Sequence, residues 1–284
     1  MARLLLASLV MLALAGPLVS APAEAAASRP FTIRVPRGHD ATKKMPLYVV
    51  LHGWGSSGDR VAKWLGIEAL ADRKGFLVAA PDGAIGARGR RYWNASDACC
   101  RFGSAAVDDV AFVASILDAA TAQYNVDTKR IFVIGHSNGG FMAHKLACAL
   151  GGRIAGIVSL AGAATNDARC DSPVAVLEVH GTDDAVIRPG GGRLFDMQVA
   201  QYSSMEDTVA AWARRNGCTA PLAPTGRTLD LVPNVAGAET RVEAFGGCAA
   251  PVELWRMVGA VHRPQLGPSF GEAVHAFLVA HPKG

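Results

Sequence analysis

Along the chain, short runs of consecutive apolar residues alternate with longer stretches in which apolar residues return every three or four positions. The continuous runs are "PLYVVLHG" (46–53), "GFLVAAPDG" (75–83), "RIFVIG" (130–135), "AGIVSLAG" (155–162) and "PVAVLEVHG" (173–181), each ending at a glycine. A strand that is apolar at nearly every position has both faces covered, the situation of a parallel strand inside an α/β sheet. "FTIRVP" (31–36) alternates instead and predicts a half-buried edge strand. "VDDVAFVASILDAATAQYN" opens with acids and keeps an apolar face through Val110, Val113, Ile116 and Leu117, which predicts a helix. Further helices are expected over "SNGGFMAHKLACAL", "MEDTVAAWARRNG" and "FGEAVHAFLVAH". Strands alternating with helices predict a single α/β domain, its central sheet mostly parallel and flanked by helices. No internal repeat, low-complexity tract or interdomain linker interrupts it.

The first residues do not belong to that pattern. Arg3, the apolar run "LLLASLVMLALAGPLV" and the small residues of "APAEAAAS" have the order of a signal peptide, expected over 1–27 with cleavage after Ala25 or Ala27. The run carries Gly16 and Pro17 and is shorter than the roughly 20 residues of a spanning helix. A secreted or periplasmic domain over 28–284 is therefore expected, with no membrane anchor in the mature chain. The net charge of +4 is spread out, with no basic run longer than a pair, which argues against a nucleic-acid partner.

Export changes the reading of the six cysteines, all of which lie in the mature part and are expected to form disulfides. Cys218 and Cys248 flank two strand-like runs and are the expected pair. The adjacent Cys99 and Cys100 are expected to share Cys148 and Cys170 as partners, with a vicinal bridge as the alternative. With no CxxC and no histidine at zinc-finger spacing, no metal is expected.

Two G-x-S-x-G matches compete as a nucleophile, "GHSNG" (135–139) and "GPSFG" (267–271). A nucleophile elbow needs a strand before the serine, a helix after it and small residues two positions either side. Ser137 has all of these. Ser269 follows the loop-like "HRPQLGP", has no aspartate downstream, and is expected to cap the last helix, with Glu272 completing a capping box. A triad in the order serine, acid, histidine then draws on Asp183 or Asp184 in "VLEVHGTDDAVI" and His262 in "ELWRMVGAVHRP". "LHGWGSSGD" (51–59) is the expected oxyanion loop, with the backbone N–H groups of Trp54 and Asn138 as donors. His144 lies within a helix, and His52 and His180 end strands, where they are expected to brace their loops.

Together "VVLHGWGSSG", "VAAPDG", "YWNASDACC", "VDDVAFV", "IGHSNGGFMAHKLAC", "VLEVHGTDDAVI" and "VELWRMVGAVH" resemble the secreted α/β-hydrolase esterases that include feruloyl esterases, acetylxylan esterases and polyhydroxybutyrate depolymerases. The resemblance spans Val49 to His262. It implies the α/β-hydrolase fold, Asp184 rather than Asp183 as the triad acid, His262 as the base, and Tyr92, Trp93 and Asn94 as substrate-binding residues. Asp109 is expected to hold its loop together. One departure stands out: many relatives have tryptophan and proline two and three residues after the histidine, where this chain continues "HRPQL". An aromatic wall beside the leaving group is then expected to be missing.

The function these readings imply is a secreted serine carboxylic-ester hydrolase working through an acyl-enzyme, without cofactor. Its substrate would be a small or oligomeric ester, such as a polysaccharide-linked phenolic or acetyl ester or a hydroxyalkanoate. Two alternatives are a serine peptidase of the prolyl-oligopeptidase type and a silent binding protein on the same fold.

Overall fold

The computed structural model of the protein describes residues 29–284 except 103, 165–169, 171 and 197–198, with the backbone alone at 196. The signal-peptide expectation lies outside the described residues. In chain order the elements are β1 (Ile33–Arg34), β2 (Met45–Leu51), α1 (Gly58–Trp64), α2 (Ile67–Lys74), β3 (Leu77–Ala79), β4 (Ala84–Ile85), β5 (Arg91–Tyr92), α3 (Asp109–Gln123), β6 (Val126–His136), α4 (Asn138–Ala149), β7 (Gly156–Leu160) and β8 (Ala175–Gly181). They continue with a 3₁₀ turn (Leu194–Asp196), α5 (Met205–Arg215), β9 (Ala220–Leu229), β10 (Thr240–Gly246), β11 (Val252–Met257) and α6 (Pro268–Val279).

One nine-stranded sheet runs β1-β3-β2-β6-β7-β8-β11-β10-β9. From β3 to β11 all neighbours are parallel, while β1 at one edge and β10 and β9 at the other are antiparallel. The pleat explains the continuous apolar runs. Leu47, Val49 and Leu51 of β2 and Ile131 and Val133 of β6 face one core, which receives Phe112, Phe141, Leu146 and Trp212 from α3, α4 and α5. Tyr48, Val50, Phe132 and Ile134 face the other, against Ile67, Leu70, Phe270 and Val274 from α2 and α6. Both faces of the parallel strands are thus covered, as expected.

Helix ends follow local chemistry. The carboxylate of Asp108 accepts from Ala111 N–H at the start of α3, and Ser204 Oγ accepts from Asp207 N–H at the start of α5. The last helix corrects the expectation for Ser269. Its N-cap is Gly267 and Pro268 occupies the first turn, so Ser269 is already inside the helix and donates instead to the Asp230 carbonyl at 2.6 Å. Glu272 forms no capping box; it pairs with Arg73 and Lys74 of α2 at 2.9 Å each. Proline's fixed φ begins the helix one position before the serine can cap it.

Cys218 and Cys248 are joined across the β9–β10 hairpin as expected, whereas Cys148 pairs with Cys170 and Cys99 with its neighbour Cys100, so the alternative vicinal bridge replaces the expected sharing of Cys148 and Cys170. Among the described residues no helix is long and apolar enough to cross a membrane, and no cluster of acids, cysteines and histidines could hold a metal ion.

Candidate active site

The parallel strands end together, and the loops leaving β2, β6, β8 and β11 meet there. The tightest turn is the one after β6. Ser137 has φ 55° and ψ −121°, a conformation that a residue with a Cβ adopts only under tertiary constraint. A Cβ on Gly135 would lie 2.0 Å from the Gly139 carbonyl oxygen, and one on Gly139 would lie 2.2 Å from that of Leu51. Glycine at both positions is what allows strand and helix to close on the serine. Ser137 N–H donates to Leu160 O at 2.8 Å, holding the turn against β7.

A second close approach brings the acid and histidine loops together. A Cβ on Gly181 would collide with the Ala260 carbonyl oxygen at 2.2 Å. Thr182 N–H donates to Met257 O, Asp183 N–H to Ala260 O, and Gly259 N–H to Thr182 Oγ1. So joined, the loops place His262 Nδ1 2.7 Å from Asp184 Oδ2. The other oxygen, Oδ1, accepts from Val186 and Ile187 N–H at 2.8 and 2.9 Å. Burial raises a carboxyl pKa, yet the bonds from His180 and His262 outweigh it and hold Asp184 well below the usual carboxylate range. Asp183 is exposed and accepts from the Thr182 hydroxyl.

Behind Asp184 lies a polar chain that sequence reasoning missed. Trp212 Nε1–H donates to His144 Nδ1 at 2.9 Å, which leaves the His144 proton on Nε2, where it donates to Glu178 Oε2 at 3.0 Å. The other oxygen of Glu178 faces His180 Nδ1 at 3.3 Å. His180 Nε2–H donates to the Ile187 carbonyl at 2.8 Å and stands 3.4 Å from Asp184 Oδ2. All four side chains are buried. Burial alone would lower the His180 pKa, but its bonds to Asp184 and Glu178 raise it to about 9, so His180 is an imidazolium between two carboxylates. The available signal was Glu178 itself, an acid in the middle of a buried strand whose only other polar side chain is His180.

On the opposite side of His262, the ring of His136 is also buried. Its Nε2–H donates to the His262 carbonyl at 3.0 Å. Desolvation, the nearby His262 and Arg263 push its pKa down to about 3, so His136 is neutral.

Ser137, His136 and His262 line a cavity of about 250 Å³ with Gly53 and Trp54 of the loop after β2. Trp64, Phe102 and Phe195 add aromatic surface. Aromatic surface also reaches the cavity from an element other than the loop after His262: Trp64 of α1 packs edge-on to His136, ring centroids 4.8 Å apart.

None of Tyr92, Trp93 and Asn94 lines this cavity. The Tyr92 hydroxyl donates to the Ala105 carbonyl. Trp93 Nε1–H donates to His52 O at 2.9 Å, and its backbone exchanges two bonds with the Asn138 side chain, at 2.7 and 3.0 Å. Asn94 N–H donates to Asp109 Oδ2 at 2.6 Å and its side chain to Val107 O at 2.8 Å. Asp109 also pairs with Arg29, so it does tie this loop down. His52 accepts from Gly83 N–H on Nε2 and so donates from Nδ1 to the Gly53 carbonyl at 2.8 Å, bracing the loop as expected.

Comparisons with known proteins place the chain in a family. Residues 30–187 match the family model described as "Esterase PHB depolymerase". A protein named "Probable feruloyl esterase C" from Aspergillus terreus is 27% identical over 84% of this chain and 78% of its own length. "Feruloyl esterase B" from Piromyces equi is 31% identical over 67% of this chain, which spans 36% of that larger protein. Among solved structures, the acetyl xylan esterase from Aspergillus awamori superposes with a TM-score of 0.63 at 16% identity, over 88% of this chain and 93% of that one. The chain belongs to the esterase PHB depolymerase family and is an ester hydrolase with the α/β-hydrolase fold.

Proposed function

We propose that the protein is an exported serine esterase that hydrolyses carboxylic esters through an acyl-enzyme on Ser137. The observation that carries this reading is the 2.7 Å contact between His262 and the buried Asp184, beside a cavity that Ser137 and His262 both line. The His262 Nδ1–H donates to Asp184, leaving Nε2 to take the Ser137 proton as the hydroxyl attacks the ester carbonyl. The imidazolium then protonates the departing alcohol. The resulting acyl-enzyme is cleared when the same nitrogen activates water.

The developing oxyanion is held by backbone N–H groups of Trp54 and Asn138. The Asn138 side chain is committed to Trp93, so its backbone N–H, at the start of α4, is what it offers substrate. On this reading Tyr92, Trp93 and Asn94 are positioning residues: Trp93 ties the elbow to the oxyanion loop and does not contact substrate. Three disulfides among the described cysteines support an oxidising destination, secreted or periplasmic. The relatives named for feruloyl and acetylxylan esters make small or oligomeric phenolic and acetyl esters the first substrates to test.

The test is hydrolysis of p-nitrophenyl acetate, p-nitrophenyl butyrate and methyl ferulate by wild type and Ser137→Ala. The serine variant is expected to lose about 10⁴-fold or more in kcat. Equal activity of the two proteins, or an inert wild type, overturns the reading.

A further inference from the structure

We propose that Glu178 and His180 are positioning residues for the reaction. His180, an imidazolium anchored by Glu178, shares one oxygen of Asp184 with His262 and thereby extends turnover into mildly acidic solution. The inference rests on the esterase reading of Ser137, Asp184 and His262 and adds the groups that set its pH range.

Asp184 Oδ2 meets two imidazoles. His262 Nδ1 lies 2.7 Å from it and His180 Nε2 3.4 Å, while Oδ1 is filled by the Val186 and Ile187 N–H groups. An anion beside an imidazole favours its protonated form, and a protonated His262 cannot accept the Ser137 proton. A cation on the far side of the same oxygen offsets part of that attraction, because the contact is buried and salt and water screen it little. His180 needs no contact with substrate to act in this way.

The charge on His180 follows from its partners. Trp212 Nε1–H can only donate, so His144 accepts on Nδ1 and presents its Nε2 proton to Glu178 Oε2. Glu178 Oε1 is left facing His180 Nδ1 at 3.3 Å, and the Ile187 carbonyl, an acceptor only, takes the His180 Nε2 proton at 2.8 Å. Both ring nitrogens therefore face acceptors. The other charged groups nearby are turned elsewhere. Arg256, the neighbour of His180 in register on β11, pairs with Glu206 of α5 and Glu243 of β10. Beyond Asp184, His262 lies against the neutral ring of His136 and precedes Arg263.

Packing alone does not call for this pair. A buried acid and a buried histidine cost desolvation that two apolar side chains of similar size would avoid. Leu177 and Val179, between and beside them on β8, fill the opposite face in the ordinary apolar way. What sets Glu178 and His180 apart is their place in the strand that leads into the Asp184 loop.

The experiment records kcat/KM for p-nitrophenyl acetate from pH 4.5 to 8.5 in wild type and in His180→Gln, whose amide can still donate to the Ile187 carbonyl. The acid limb of the variant is expected about one pH unit above that of wild type, roughly a tenfold loss along the limb relative to each protein's own plateau. A limb that stays in place while kcat/KM falls equally at every pH is what a structural role alone produces, and it overturns the proposal while leaving the esterase reading intact. The wild type provides a second measurement that does not depend on the variant folding. In its histidine-ring nitrogen NMR shifts, His180 is expected to stay doubly protonated from pH 5 to 8; a neutral His180 at pH 7 overturns the proposal. A wild type inert toward p-nitrophenyl acetate overturns the esterase reading and the proposal with it.

Discussion

Two buried histidines flank His262, and they sit in opposite charge states. His180, on the side of the acid, is pushed up to about 9, whereas His136, on the side of the cavity, is pushed down to about 3. Burial disfavours the charged ring in both places, so burial does not separate them. Their partners do. His180 has a carboxylate on each side and a carbonyl on Nε2, so both its nitrogens face acceptors. His136 has one carbonyl acceptor, and His262 and Arg263 beside it disfavour a charged ring. The lesson is that a buried histidine takes its state from what its second nitrogen meets. Here that rule produces a string behind His262, Glu178, the cationic His180 and Asp184, and on the proposed mechanism Asp184 faces the proton that His262 takes from Ser137.

The comparison breaks most completely if the acid is removed. Asp184→Asn keeps the shape and an acceptor for the Val186 and Ile187 N–H groups, but it leaves His262 without an anion and confronts His180 with a neutral amide. A loss of about 10³–10⁴-fold in kcat on p-nitrophenyl acetate is expected, with the far-UV circular dichroism of the wild type. The exposed neighbour serves as the control, because Asp183 bonds only within its own turn and to Ala260. A deficit below tenfold at Asp184, or an equal deficit in Asp183→Asn, would remove Asp184 from the orienting role.

Glu178→Gln tests the far end of the string. Glutamine has one acceptor oxygen where Glu178 receives two N–H groups, from His144 and His180, so one buried donor is orphaned. The expected cost is about 3 kcal/mol in urea unfolding near pH 7. The pH dependence distinguishes the charge from the packing. Because the folded pKa of His180 is raised above its ordinary 6.5, the stabilisation it brings is complete below pH 6.5 and is lost as the pH climbs to about 9. That fall, on the order of 3 kcal/mol in wild type, should be much smaller in Glu178→Gln. Parallel stability curves for the two proteins would mean that His180 is not held as a cation by Glu178.

How much of this could be read beforehand differs by element. The parallel strands were legible because burial on both faces leaves unbroken apolar runs, and the elbow because steric crowding admits only glycine at 135 and 139. β9 was legible only as one of two strand-like runs between Cys218 and Cys248, since "APLAPTGRTL" has two prolines and is exposed along most of its length, so pairing with β10 alone fixes its extent. α1 and α2 carry too few apolar repeats for periodicity to separate them from a loop. At the site, Ser137, Asp184 and His262 stand at strand ends, where sequence order suffices to nominate them. The chain behind the acid joins residues 34 and 68 positions apart, and no local pattern connects His144 to Glu178 or to Trp212. The segment 92–94 shows the converse: the family resemblance nominates it as substrate-binding, but its side chains are tied into hydrogen bonds with the neighbouring loops and none of them lines the cavity.

The smallest effect, and the one that sharpens the contrast most, belongs to His136→Gln. Glutamine cannot titrate, and its amide can still donate to the His262 carbonyl, so at pH 8 the variant should lose only about 1 kcal/mol from the missing ring contact with Trp64. In acid the sign reverses. The wild-type ring stays neutral in the fold down to about pH 3, whereas the unfolded chain takes up its proton from pH 6.5 downward, so the fold loses stability steadily over that interval. At pH 5 this penalty is about 2 kcal/mol, and Glu178→Gln would keep it while His136→Gln would not. The stability curves of wild type and His136→Gln are therefore expected to cross between pH 5 and 8, the variant being the more stable on the acid side. Curves that never cross would show that His136 is protonated in the fold, and would place a second cation beside Arg263 at the cavity.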